Sequence, residues 1–178
     1  MSQEIIALKD INEKLLKELN IAGVTNIVFC IQCGTCSASC PSGRITAFRT
    51  RQILRKALMG LSEVLKSDDL WLCTTCYTCL ERCPRKIETV PAIVALRNVA
   101  VENGYINQRH REVAHMFIRY GHAVPINSEN IKKRESLGLP AVPPTVHSFK
   151  QALEELQTLV KKSEFDKKVN FVWEGDRK

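Results

Sequence analysis

Apolar residues recur every three or four positions along most of this chain, the period of α-helices that lay one face against a core. Over residues 3–20, Ile5, Leu8, Ile11, Leu15 and Leu19 fall on one face, with Asn20 and Gly23 as stop signals. This stripe predicts an amphipathic helix that packs on its own domain or meets a partner protein. The segment VTNIVFC that follows reads as a short β-prone or turn-like lead. A second helix is expected over 44–59, with Ile45, Phe48, Ile53, Ala57 and Leu58 inward and Gly60 closing it. Ser62 and Glu63 then open a short helix ending near Lys66. Two longer helices follow. One runs from Thr89 or Val90 to Asn103, with Pro91 tolerated in its first turn and Gly104 as the stop; the other runs from Gln108 to Tyr120, closed by Gly121.

From Gly138 the rhythm breaks. LGLPAVPPTVHS places three prolines within five residues, which predicts a stiff, extended connector. Ser148 is read as the cap of a last amphipathic helix, Phe149 to Lys162, with Leu153, Leu156, Leu159 and Val160 on one side. The closing EFDKKVNFVWEGDRK is polar, with Phe171, Val172 and Trp173 on a tail. Such aromatics either dock on another subunit or fold back on their own domain. The expected organisation is a helical domain over 1–137, a connector over 138–147, and a C-terminal helix with a partner-docking tail over 148–178.

Two cysteine runs interrupt the helical rhythm. Cys30, Cys33, Cys36 and Cys40 are followed by Pro41, and Cys73, Cys76, Cys79 and Cys83 by Pro84, so that each cysteine of the second run lies 43 positions after its counterpart. These are all 8 cysteines of the chain. The spacing Cys-x-x-Cys-x-x-Cys-x-x-x-Cys-Pro is the bacterial ferredoxin pattern for a [4Fe-4S] cube, in which the fourth cysteine crosses to the other cube of a pair. Cysteines three apart on a tight coil project to one side and reach three corners of one cube. The proline after the fourth carries the chain away. Crossed ligation predicts one cube on Cys30, Cys33, Cys36 and Cys83, and another on Cys73, Cys76, Cys79 and Cys40. Small residues within the first run, Gly34, Ser37, Ser39 and Ser42, suit close approach of backbone to a cube, whose potential N–H groups aimed at sulfur would raise.

Zinc and disulfides compete for the same residues. Paired Cys-x-x-Cys motifs can hold tetrahedral zinc, but a third cysteine at the next three-residue step and the proline, both in duplicate, favour iron-sulfur. Disulfides need an oxidising compartment, and MSQEIIALKDINEKLL has no apolar core of signal-peptide type.

At 178 residues, 44% hydrophobic and 25% charged, the chain has ordinary globular make-up, with no apolar run near the roughly 20 residues that span a bilayer. Its formal charge of +7 counts cysteines as neutral. Thiolate-held cubes are anionic, so this excess reads as compensation for them and as a docking field for acidic partners. Arg44, Arg49, Arg51, Arg55 and Lys56 form either a solvated face or a docking rim beside a cluster. No interleaving of aromatic and basic residues points to nucleic acid. His110, His115, His122 and His147 lack metal-ligand spacing and read as structural or exposed.

A helical insertion between the motifs, in place of a tight β-hairpin layout, argues for an all-α fold, the α-helical ferredoxin with two [4Fe-4S] clusters, extended by a C-terminal helix and tail. Four thiolates saturate each cube, and no flavin, nicotinamide, P-loop or nucleophile motif occurs. The chain therefore reads as an electron relay without an active site of its own.

The run WLCTTCYTCLERCPR, the helix VPAIVALRNVA, the loop GHAVPIN and the connector VPPTVHSF resemble the family of iron-sulfur C subunits of heterodisulfide reductase from methanogenic archaea, from about residue 20 onward. The resemblance implies two [4Fe-4S] clusters in a cytoplasmic complex, with a flavin-containing A subunit, itself also an iron-sulfur protein, and a catalytic B subunit as partners. Electrons would pass from the flavin subunit to the catalytic one, where the mixed disulfide of coenzyme M and coenzyme B is reduced. A hydrogenase or formate dehydrogenase module would feed the flavin subunit, with flavin-based electron bifurcation to ferredoxin. A succinate dehydrogenase-type iron-sulfur subunit would need a further [2Fe-2S] domain, for which no room is expected. An electron-transfer subunit of a related sulfur-oxidation complex and a zinc-stapled interaction module are the competing readings.

Overall fold

The computed structural model describes residues 13–21 and 23–173, and every regular element among them is helical. Two compact units, Met1–Tyr105 and Ile106–Lys178, divide the chain.

In the first unit α1 (Glu13–Ile21) leads through a 3₁₀ turn (Asn26–Phe29) to Cys30. The first cysteine run then carries two short helices, α2 (Thr35–Ala38) and α3 (Pro41–Ile45), before α4 (Thr50–Leu58) and α5 (Glu63–Lys66). A second 3₁₀ turn (Asp68–Leu72) delivers Cys73, after which α6 (Thr78–Glu81) and the long α7 (Thr89–Glu102) complete the unit.

Helix α7 is apolar on nearly every side, which is stable only where every side is covered. Thr89, Val90, Ala92, Ile93, Ala95, Leu96, Val99 and Ala100 are all buried, and α1, α4, α5, α6 and the Asp68–Leu72 turn surround them. Truncating the fully buried Leu96 to Ala would cost about 2–5 kcal/mol. Leu15 and Leu19 of α1 enter this core, so the described part of that stripe packs on its own unit; Ile5, Leu8 and Ile11 lie outside the described residues.

The continuous helix expected over 44–59 is broken. Thr46 is extended (φ −132°, ψ 175°), and Ile45, expected inward, is 87% exposed. The break is held by polar contacts that a hydrophobic pattern does not reveal. The Thr46 hydroxyl donates to the Ser42 carbonyl at 2.8 Å and accepts from the Phe48 N–H at 3.2 Å. Arg49 Nη1 lies 2.8, 2.9 and 2.8 Å from the carbonyls of Gly43, Thr46 and Phe48. Phe48 itself is buried as expected.

In the second unit α8 (Gln108–Tyr120) ends at Gly121 (φ +66°), whose N–H donates to the Phe117 carbonyl at 2.8 Å. Helix α9 (Ser128–Ser136), absent from the hydrophobic pattern because it buries nothing, starts at Asn127, whose side chain accepts from the Asn130 N–H at 2.8 Å. After the proline-rich stretch and a 3₁₀ turn (Val146–Ser148) come α10 (Lys150–Lys162) and α11 (Phe165–Lys168). Ser148 does not cap α10: its hydroxyl donates to the Pro143 carbonyl at 2.8 Å, and Phe149 holds the cap position without a side-chain bond. Leu159 is 66% exposed and Val160 takes the buried place beside Ile118 and Val169. Both α8 and the Val146–Ser148 turn contact α10. The unit boundary therefore falls at Tyr105 and Ile106, ahead of the proline stretch.

Of the two readings of the aromatic tail, folding back is the one observed for Phe171 and Trp173. Phe171 meets His115 edge to face at 5.3 Å and Trp173 at 5.0 Å, and Trp173 Nε1 donates to Asp166 Oδ2 at 2.8 Å. Val172 alone of the three stays exposed.

Candidate metal centre

Both cysteine runs are built by the same local rules. Each is entered from a 3₁₀ turn through an extended cysteine, Cys30 (φ −69°, ψ 115°) and Cys73 (φ −69°, ψ 123°). Left-handed residues then recur at matching positions: Gln32 (φ +58°) with Thr75 (φ +51°), and Gly34 (φ +85°) with Tyr77 (φ +62°). A β-branched residue such as Thr75 adopts this conformation only at a cost of about 1–3 kcal/mol. Left-handed residues in a tight coil turn backbone N–H groups toward a common concavity that favours anions, a device found at many Fe–S sites.

The donors that result are aimed at sulfur. Gln32 Nε2 donates to Cys30 Sγ at 3.3 Å, and the Thr75 N–H to Cys73 Sγ at 3.5 Å. Gly43 N–H and Ile87 N–H donate to Cys40 Sγ and Cys83 Sγ, both at 3.3 Å. Thr35 Oγ1 lies 3.4 Å from Cys33 Sγ and Thr78 Oγ1 3.5 Å from Cys76 Sγ, contacts that pull both exposed thiols below their ordinary pKa. The Thr89 hydroxyl donates to the buried Cys79 Sγ at 3.1 Å. Cysteine spacing alone singles out none of these donors. The recurrence of Thr two residues after Cys33 and after Cys76 is the one signal of them that the sequence carries.

The structure also brings the two runs together. Cys30, Cys33 and Cys36 line one cavity with Cys83 of the other run; Arg51, Arg85, Ile31 and Leu54 are among its other walls. Cys40 in turn neighbours the second run. Burial raises the Cys73 thiol, and the charges of Cys40 and Cys76 beside it raise it further, against the opposing pull of Arg97. Burial likewise raises Cys79, with Cys73 and Cys76 adding to it. Cys36, raised by burial and held back by the Ser37 N–H, feels both Cys79 and Cys30, so the two thiol groups adjoin.

This donor set fits an iron-sulfur group. Buried, mutually repelling thiols resist ionisation, whereas positive metal charge inverts that balance and the aimed N–H and O–H donors stabilise the thiolates. Among the described residues no three His, Cys, Asp or Glu side chains meet at a point suited to one metal ion. Thiolates that each bind a different iron of a cube need not meet at one point.

Of the basic residues flanking the first run, Arg51 lines the cavity, Arg49 holds the α3–α4 break, and Lys56 pairs with Glu63 at 2.7 Å. His115 Nε2 lies 2.9 Å from the Val169 carbonyl, and the His122 ring bonds the Val124 backbone. Among the described residues no helix is long and apolar enough to cross a membrane.

Residues 27–87 match the family model of the 4Fe-4S dicluster domain. Over 97% of this chain and 95% of its relative, the sequence is 50% identical to the iron-sulfur C subunit of the CoB–CoM heterodisulfide reductase of Methanopyrus kandleri. The chain belongs to the family of heterodisulfide reductase iron-sulfur C subunits. It is 48% identical to the iron-sulfur C 2 subunit of the Methanocaldococcus jannaschii enzyme, over 96% of each chain. It is also 43% identical to the C subunit of the H(2):CoB-CoM heterodisulfide,ferredoxin reductase of Methanothermobacter thermautotrophicus, over 97% of this chain and 94% of that one. Members of this family are iron-sulfur subunits of an oxidoreductase complex. An all-α dicluster domain of this kind serves electron transfer, and its membership of a complex implies partner proteins.

Proposed function

We propose that this chain holds two [4Fe-4S] cubes in crossed sets, Cys30, Cys33, Cys36 and Cys83 in one and Cys40, Cys73, Cys76 and Cys79 in the other. On this reading it links the flavin-containing subunit to the catalytic one in a cytoplasmic heterodisulfide reductase complex. The catalytic subunit reduces the mixed disulfide of coenzyme M and coenzyme B in methanogenesis, and a hydrogenase or formate dehydrogenase feeds the flavin subunit. The name of the Methanothermobacter thermautotrophicus relative, which joins H(2), the heterodisulfide and ferredoxin, supports such a bifurcating setting.

The observation that carries the reading is the single cavity shared by three cysteines of the first run and one of the second. When bound, such groups supply one-electron exchange over potentials of roughly −700 to +450 mV. The protein's part is to bind, orient and tune. The eight thiols supply the bonds. The Gln32 amide, the Thr89 hydroxyl and the Gly43, Thr75 and Ile87 N–H groups donate to sulfur and favour the more negative, reduced state, and the Thr35 and Thr78 hydroxyls stand against Cys33 and Cys76. Buried Cys40 and Cys79 keep water from the inner side of the site. With every iron bound by a cysteine no position is left for substrate, so the chain is a non-catalytic member of its complex.

Metal and sulfide analysis of the anaerobically purified chain tests this. About eight iron and eight acid-labile sulfide per chain are expected. Two zinc without sulfide would replace the relay with a zinc-stapled module.

A further inference from the structure

The cysteine motifs repeat, but their surroundings do not. Carrying the interval that separates Cys30 from Cys73 onto the flanking helices pairs Leu54 of α4 with Arg97 of α7. Leu54 is a buried apolar wall of the Cys30 cavity. Arg97, half-buried in a largely apolar helix, turns its guanidinium onto the chain entering the second run. Its Nη2 donates to the carbonyl of Cys73 at 2.7 Å, its Nε donates to that of Leu70 at 3.0 Å, and its Cζ stands 5.5 Å from the centre of the Trp71 ring.

We infer that Arg97 is a positioning residue that fixes Cys73 and raises the reduction potential of the group bound by Cys40, Cys73, Cys76 and Cys79, leaving the other group unaffected. This rests on the crossed-set reading above. The physical ground is the permanent charge of a guanidinium, which stays protonated even when partly desolvated. Fixed by two carbonyls and a ring, that charge is held at the backbone of Cys73, and the added electron of the reduced state is stabilised by it. Arg51 and Arg85, the cations of the other cavity, lie on α4 and on the coil after Pro84. Neither is seen bonded to a cysteine carbonyl among the described residues. The two halves thus present similar donors to sulfur but a different second layer, which lets one duplicated motif hold two unequal groups.

The test is a potentiometric titration of the full chain, purified without oxygen, followed by electron paramagnetic resonance. Iron and sulfide in the unaltered chain are measured first, and their absence would sink the cluster reading before Arg97 is at issue. In Arg97→Gln the iron content is expected to hold and one of two reduction steps to move to lower potential. At a fixed ambient potential the reduced-to-oxidised ratio of that step falls about tenfold. The step that moves is the one missing in Cys73→Ala. Arg97→Lys, which keeps the charge but not the fork, recovers part of the shift. Unmoved steps in Arg97→Gln, equal movement of both, or loss of iron in Gln and Lys variants alike would each overturn the inference.

Discussion

The hydroxyl of Thr89 donates to the sulfur of Cys79 at 3.1 Å, and both residues are buried. Thr89 opens α7, so the helix that organises the first unit also points a donor at a cysteine of the proposed second set. Thr89→Val preserves the shape and removes the donor. The expected result is a fall in stability of roughly 1.5 kcal/mol, from the loss of a hydrogen bond to a charged group, and a lower potential for the group that Cys79 binds. Chemical denaturation and potentiometry measure the two effects. Thr89→Ser should restore the potential, and an unchanged potential in the Val variant would remove Thr89 from the site.

Gly43 is fixed by close approach. A Cβ at this position would stand 2.8 Å from the Phe48 carbonyl oxygen and 3.4 Å from the Cys40 Cβ. The backbone there is pinned by Arg49 and Thr46 and has little room to yield. Gly43→Ala is expected to displace the N–H that donates to Cys40, to destabilise the chain by about 1–3 kcal/mol, and to loosen the group held with Cys40 while sparing the other. Iron content and resonance spectra of the variant provide the check; full retention of both signals would contradict it.

The second unit has its own core around Ile118, Val160 and Val169, on which Phe171 packs. Phe171→Ala should weaken that unit by about 2 kcal/mol, less than for a fully enclosed ring. Limited proteolysis should then cut within residues 106–173 while iron per chain stays constant. Loss of iron would show that the metal centre depends on this core.

Much of this was legible from local pattern. The duplicated cysteine spacing pointed to the residues that the fold gathers around one cavity, and α7 and α8 were readable because apolar period, Pro91 and Gly121 agree. What escaped depends on contacts that periodicity does not encode. The RITAFR segment keeps a helical pattern, yet the Thr46 hydroxyl and the Arg49 guanidinium satisfy the carbonyls that a continuing helix would have used. Ser148 looked like a cap, but the Pro143 carbonyl claims its hydroxyl. Two readings of Phe171 and Trp173 stay open in the sequence because His115, the ring that Phe171 packs on, lies far back in the chain. Arg97 leaves no mark in the apolar period of α7; only the offset between the two cysteine runs sets it opposite Leu54.

Whether the fourth cysteine of each run crosses to the other cube is decided by Cys83→Ser. Paramagnetic spectra of this variant are to be set beside those of Cys30→Ser and Cys73→Ser, all purified without oxygen. The crossed arrangement predicts that Cys83→Ser perturbs the same signal as Cys30→Ser and leaves intact the one altered by Cys73→Ser. A Cys83→Ser spectrum that matches Cys73→Ser instead would contradict it and return each run to a cluster of its own.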